Sequence, residues 1–149
     1  MFFSRKKTMP LTEEEIARLQ QQIAEAEALS SAEFLIILAR PGWLGIRHKA
    51  RQLFRKYGMD RKARHNAVLI AVDYVNNDMV LLGDSAAESK MGSEFWFELE
   101  SMLDDALKAE SLFEALTSCI HILGCRLPIY FPPDPEVAGE LSNEILLEE

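Results

Sequence analysis

Two apolar runs joined by a short polar break, Ala67-Val68-Leu69-Ile70-Ala71-Val72 and Met79-Val80-Leu81-Leu82, constrain this chain more than any other feature. Each is too short for a helix between its breakers and too apolar for a strand with one wet face, so both faces must be covered. Asn76-Asn77 between them supplies the turn of a hairpin. A third run of the same kind, Phe34-Leu35-Ile36-Ile37-Leu38, precedes them. Strands are therefore expected at about 33–39, 66–73 and 78–82.

Helical patterns between and around these runs supply the cover. Thr12-Glu13-Glu14-Glu15 is a capping box, and Ile16, Leu19, Ile23 and Ala26 recur at helical spacing to about Leu29. Ile46, Ala50, Leu53, Phe54 and Tyr57 mark the inner face of a second, basic helix closed by Gly58. Ser93 is positioned to cap a third helix, with Phe95, Leu99, Met102, Leu103 and Ala106 inside and Glu94, Glu98, Glu100, Asp104 and Asp105 largely outside. A fourth opens at Ser111-Leu112-Phe113-Glu114 and is expected to end at Gly124 or Pro128. Strand, helix, strand in that order predicts a right-handed crossover with parallel strands, and the hairpin then sets the third strand antiparallel. The expected architecture is a three-layer α/β/α sandwich around a small mixed sheet. Residues 1–10 read as a tail, 11–131 as a single domain, and 132–149, opening with Phe131-Pro132-Pro133-Asp134-Pro135, as an acidic C-terminal arm.

At 149 residues and 48% hydrophobic, the chain has the size of one ordinary domain. Cys119 and Cys125 fall six residues apart in a helical pattern, about 9 Å along the axis and about 120° around it, too far to bridge. A reducing compartment follows. Met1-Phe2-Phe3-Ser4-Arg5-Lys6-Lys7 has no apolar core of signal-peptide length behind it, and no uninterrupted run has the length of a membrane span. The expected location is cytoplasmic, with no transmembrane segment.

Charge is segregated along the chain. Residues 1–64 hold 13 basic and 7 acidic side chains, whereas 65–149 hold 3 basic and 17 acidic. Arg40, Arg47, Lys49, Arg51, Arg55, Lys56, Arg61, Lys62 and Arg64 form a run opposed only by Asp60. It reads either as a solvated face balancing the acidic helices or as a docking face, around helix 45–57, for an acidic or phosphate-bearing partner. Phe54 and Tyr57, the aromatics within it, lie on the inner face, so no nucleic-acid partner is expected. His48, His65 and His121 lack zinc-ligand spacing, and neither G-x-S-x-G, a P-loop nor G-x-G-x-x-G occurs.

The strand order brings Glu33, Asn66 and Asp84 to one edge of the sheet, with Glu88 and Glu94 in the following segment. Oxygen ligands in that number suit a hard cation such as Ca²⁺, although the spacing is not that of an EF-hand; solvated loop carboxylates are the plainer reading. Phe95-Trp96 beside them reads as core rather than as a stacking platform, and His121 as a partly buried, hydrogen-bonded side chain.

With these residues in place the chain resembles the TPM domain family, whose name joins thylakoid-lumen, photosystem-repair and nematode receptor-modulating members. The resemblance is carried by Ser31-Ala32-Glu33-Phe34, Leu53-Phe54 with Gly58-Met59, Asn66-Ala67-Val68-Leu69-Ile70, Gly83-Asp84, Phe95-Trp96, Phe131-Pro132 and Glu140-Leu141, across about 11–141. It implies a three-layer sandwich, divalent-ion binding (usually calcium) near an acidic edge in some members, acid-phosphatase activity in a plant member, and roles in maintaining membrane complexes. The chain departs from the family pattern in three places. His65 stands where an arginine is usual, Phe97 where an acid is common, and Ala109 and Ala115 where glycines are usual.

The expected function is a non-catalytic interaction module for a protein partner, with a weak Ca²⁺ site at Asp84, Glu88 and Glu33. The alternative is a metal-assisted acid phosphatase, in which Arg61 and Arg64 beside Asn66 hold phosphate while Asp84 and its neighbours hold the ion.

Overall fold

The computed structural model describes residues 9–61, 66–134 and 145–148. Its elements run α1 (Glu13–Ala28), β1 (Glu33–Ala39), α2 (Ile46–Lys56), a 3-10 turn (Met59–Arg61), β2 (Ala67–Asp73), β3 (Asp78–Gly83), α3 (Ser85–Met91), α4 (Ser93–Ala109), α5 (Leu112–Tyr130) and β4 (Ile145–Glu148). The capping box forms as the sequence requires: Glu15 N–H donates to Thr12 Oγ1 at 3.1 Å and Thr12 N–H to Glu15 Oε1 at 2.9 Å. Those bonds satisfy two of the donors a helix start leaves without partners.

The sheet has the order β3-β2-β1-β4. β1 and β2 are parallel, with Glu33 opposite Ala67, and β2 and β3 are antiparallel, with Val68 opposite Gly83. Every residue of β1 and β2 is buried. Alternation then sorts them between two cores. Phe34, Ile36, Leu38, Val68, Ile70 and Val72 pack with α1, α4 and α5 on one face. Leu35, Ile37, Ala39, Ala67, Leu69 and Ala71 pack on the other with Ala50 and Leu53 of α2 and Met59. At the hairpin, Asn77 takes φ 55°, and Asp73 Oδ1 accepts the N–H groups of Val75 and Asn76, both at 2.9 Å. A short side chain that tolerates the left-handed region is what that turn needs.

The structure differs from the sequence reading in several elements. The tail carries a fourth strand: β4 pairs with β1 in parallel, Ile36 opposite Ile145, and Ile145 is buried. The segment after Asp84 is the short helix α3 rather than a loop. α4 is capped by Gly92 at φ +84°, with Ser93 as its first helical residue. α5 runs through both expected stops to Tyr130. Gly124 lies where α5 crosses α1 so closely that a Cβ there would sit 3.3 Å from that of Ala26, so this glycine serves helix contact rather than termination. α5 has the length and apolar composition of a membrane span; in this fold Leu116, Cys119, Ile120, Leu123 and Leu127 are buried in the larger core. His121 is exposed on its outer side, with Nε2 3.9 Å from Cys125 Sγ.

Edge strand β3 is closed by α4. Met79 N–H donates to Asp104 Oδ1 at 2.9 Å and Leu81 N–H to Glu100 Oε2 at 3.3 Å. Two carboxylates expected to face water instead occupy the unpaired donors of an edge, which are otherwise a template for pairing with another chain.

Candidate functional site at the two ends of the sheet

The acidic edge assembles as the strand order predicts. Glu33 N–H donates to the Asn66 carbonyl at 3.3 Å and Asp84 N–H to the Ala67 carbonyl at 2.9 Å, so the three residues are backbone neighbours across β1, β2 and β3. All three are buried. Their side chains have structural partners. The Asn66 amide donates to the Ser31 carbonyl. Asp84 Oδ1 accepts Ser85 N–H at 2.8 Å and caps α3, a placement that also suits a carboxylate against the positive end of a helix. A Cβ at Gly83 would meet Trp96 Cζ2 at 3.1 Å and Ala87 Cβ and Glu88 Cγ at 3.2 Å, so Gly83 is required by the close seat of the indole. Trp96 is buried and stands edge-to-face on Phe95, centroids 5.5 Å apart at 79°.

The remaining expected site residues are not drawn in. Glu88 is exposed on α3. Arg61 is exposed at the end of the 3-10 turn, 4.0 Å from Asp60. Arg64 and His65 lie outside the described residues. Calcium takes six to eight oxygens; among the described residues no group of three or more His, Cys, Asp or Glu side chains is placed to hold a metal ion. The described carboxylates do not by themselves form that cage.

Sequence reasoning missed Glu27 at this edge. Its Oε2 accepts Phe34 N–H at 3.1 Å, and burial, with the Glu33 charge adding to it, pushes its carboxyl up to about 7. The signal was present in the helical spacing, which puts Glu27 one residue past the buried Ala26 in the last turn of α1. Cys119, fully buried, has its thiol pushed well above the ordinary range, which removes it as a nucleophile.

The opposite end, beyond the carboxyl ends of β1 and β2, is built differently. Gly42 and Gly45 bridge, with Gly45 N–H on the Gly42 carbonyl at 2.9 Å and Gly45 at φ +93°, and the turn between them projects Trp43 and Leu44 into solvent at 96% and 60% exposure. Val75 in the β2–β3 turn is 53% exposed. Arg40 Nε donates to Tyr74 Oη at 3.3 Å, tying the two loops together. α2 starts directly after this tip and crosses the sheet. Arg47 pairs with Glu100 beside β3, while Lys56 Nζ meets Glu148 Oε1 of β4 at 2.5 Å and Tyr57 Oη donates to its Oε2 at 2.8 Å. Those hydrogen bonds, Lys56 first, hold the Glu148 carboxyl below its ordinary value. Arg51 and Arg55 stay exposed on the outer face. The glycine-bracketed Gly42-Trp43-Leu44-Gly45 could have marked the tip, since a turn pinned by two glycines has no route into a core.

The model of the TPM domain family matches residues 6–124. Among solved structures, the fold superposes on the solution NMR structure of BA42 protein from the psychrophilic bacterium Bizionia argentinensis, with TM-score 0.86 at 26% identity, over 97% of this chain and 99% of that one. It also superposes on the N-terminal domain of a P. gingivalis protein, with TM-score 0.69 at 10% identity, covering 81% and 78% of the two chains. The N-terminal domain of a Corynebacterium glutamicum protein follows, at 0.59 and 11% identity, covering 91% and 80%. At that identity the last two show likeness of fold alone. No curated protein matches the sequence.

Proposed function

This chain belongs to the TPM domain family, and from that premise we propose that it acts as a non-catalytic interaction module whose contact surface is the basic α2 layer and the turn that leads into it. The observation that carries the reading is the use made of the edge residues. Asn66 holds the Ser31 carbonyl, Asp84 caps α3 and Gly83 seats Trp96. Groups so engaged hold the fold together, whereas catalysis needs a nucleophile beside a base or donors aimed at a developing charge. Two positions that depart from the family pattern, His65 for an arginine and Phe97 for an acid, each lack the usual charged side chain; Phe97 is 73% exposed on α4. An imidazole lacks the planar five-donor fork with which a guanidinium clamps a phosphate.

Hydrolysis of an aryl phosphate by the purified chain, with and without Ca²⁺ or Mg²⁺, tests the reading. Turnover at the level of buffer is expected. Turnover that survives purification and falls about tenfold or more in Asp84→Ala, a loss of about 1.4 kcal/mol of transition-state stabilisation, overturns it in favour of a metal-assisted phosphatase.

A further inference from the structure

We propose that the Trp43-Leu44 turn and the cations around it dock this domain onto an anionic lipid bilayer. The proposal rests on the module reading and names its partner. A tryptophan 96% exposed beside a leucine 60% exposed gains almost nothing from the fold that displays it. The turn is also fixed, by the Gly42–Gly45 bridge and by the Arg40–Tyr74 hydrogen bond next to it. Little conformational freedom remains to be lost when it binds.

Shape and charge select the partner. The apolar feature is a convex tip rather than a groove or a broad patch, so it lacks the area of a specific protein interface, about 800 Å² per side. Trp and Leu are side chains suited to the boundary between headgroups and acyl chains. From Arg40 to Arg61 the chain carries seven basic residues within a molecule of net charge −8; Arg47 and Lys56 are paired with Glu100 and Glu148, and Arg51 and Arg55 stay exposed on the outer face. Arg51 lies within about 8 Å of the start of α2 along its axis, roughly one Debye length at physiological salt. α2 has no side-chain cap, so its first-turn amides add positive character at the same place. An anionic surface repels the acidic second half of the chain and attracts this layer, which turns the tip toward the membrane.

The test is co-sedimentation of the full chain with vesicles of phosphatidylcholine alone and with about a third phosphatidylglycerol, read together with tryptophan emission. The chain is expected to pellet with the anionic vesicles and not the neutral ones, and to be released at about 0.5 M salt as screening shortens. Emission should shift to the blue, since Trp43 leaves water while Trp96 is already buried. Trp43→Ser with Leu44→Ser should lower partitioning about tenfold or more, and Arg51→Glu with Arg55→Glu likewise, with melting temperatures unchanged because all four side chains are exposed. No pelleting on anionic vesicles, or pelleting that the tip variant leaves intact, overturns the proposal. So does a dimer that the tip variant abolishes, since the tip is then covered by a second copy. These failures leave the module reading standing; phosphatase turnover removes that reading whatever the vesicles do.

Discussion

The two faces of the sheet are made by alternate residues of the same strands and are covered in opposite ways. One face lies under three long helices, α1, α4 and α5, and takes the bulkier side chains, Phe34, Ile36, Leu38 and Ile70. The other takes Ala39, Ala67 and Ala71 among its residues and is covered by eleven-residue α2 with the 3-10 turn. Small side chains let one short helix lie close, but it buries only Ala50 and Leu53 of its own. Ion pairs at the two sheet edges, Arg47 with Glu100 and Lys56 with Glu148, fasten it. The thick face therefore supplies the stability. The thin face carries the exposed cations and the apolar tip, so the proposed docking uses the layer least committed to the core.

Neighbours within one strand give the largest test of that contrast. Ile36 and Ile37 are both fully buried and face opposite cores. Truncation of a buried isoleucine to alanine costs about 2–5 kcal/mol, more where the surroundings cannot close the cavity. Ile36→Ala is expected near the top of that range and Ile37→Ala lower, because a single helix can settle toward the sheet. Urea unfolding measures both, and a larger loss at Ile37 breaks the comparison.

Glu100 joins the two layers around the β3 edge, accepting from Leu81 N–H and pairing with Arg47. Glu100→Ala should cost about 1–2 kcal/mol, mostly from the edge donor left without its partner. Faster amide exchange at Leu81 is expected; exchange unchanged from the parent would show that the link carries no load.

The smallest effect sharpens the thick side. Burial raises Glu27 from 4.5 to about 7. A carboxyl raised in this way binds its proton more tightly folded than unfolded, so its contribution is full below pH 4.5 and is lost as pH rises through about 7. Because the side chain is partly solvated, the loss is about 1 kcal/mol. Melting curves across that range should decline more for the parent than for Glu27→Gln, which keeps an acceptor for Phe34 N–H. Parallel curves would remove Glu27 as a titrating group.

Much of this was legible in the residues. The runs at 34–38, 67–72 and 79–82 dictated strands covered on both faces, and the length of the connections dictated which pair is parallel. The convergence of Glu33, Asn66 and Asp84 followed from that topology alone. Their roles did not, because a carboxylate that caps a helix and one that awaits an ion have the same sequence. Glu100 and Asp104 read as solvent-facing since helical periodicity reports distance from the helix's own buried stripe and nothing of a neighbouring strand's donors.

Local sequence by itself determined β1, β2, β3, α1, α2, α4 and α5, the direction of the three main strands and the segregation of charge, because propensity, periodicity and connection length act over a few residues. Tertiary structure alone decided the fourth strand, the passage of α5 through Gly124 and Pro128, and the exposure of Trp43. Ile145-Leu146-Leu147-Glu148 is too short and too close to charge to declare itself a strand, and becomes one only because β1 offers an open edge. Gly124 stays helical because Ala26 packs against it. Trp43 is left in water because none of the described elements packs over it; the bracketing glycines mark a turn, but which elements come to lie over that turn is set by the arrangement of the helices.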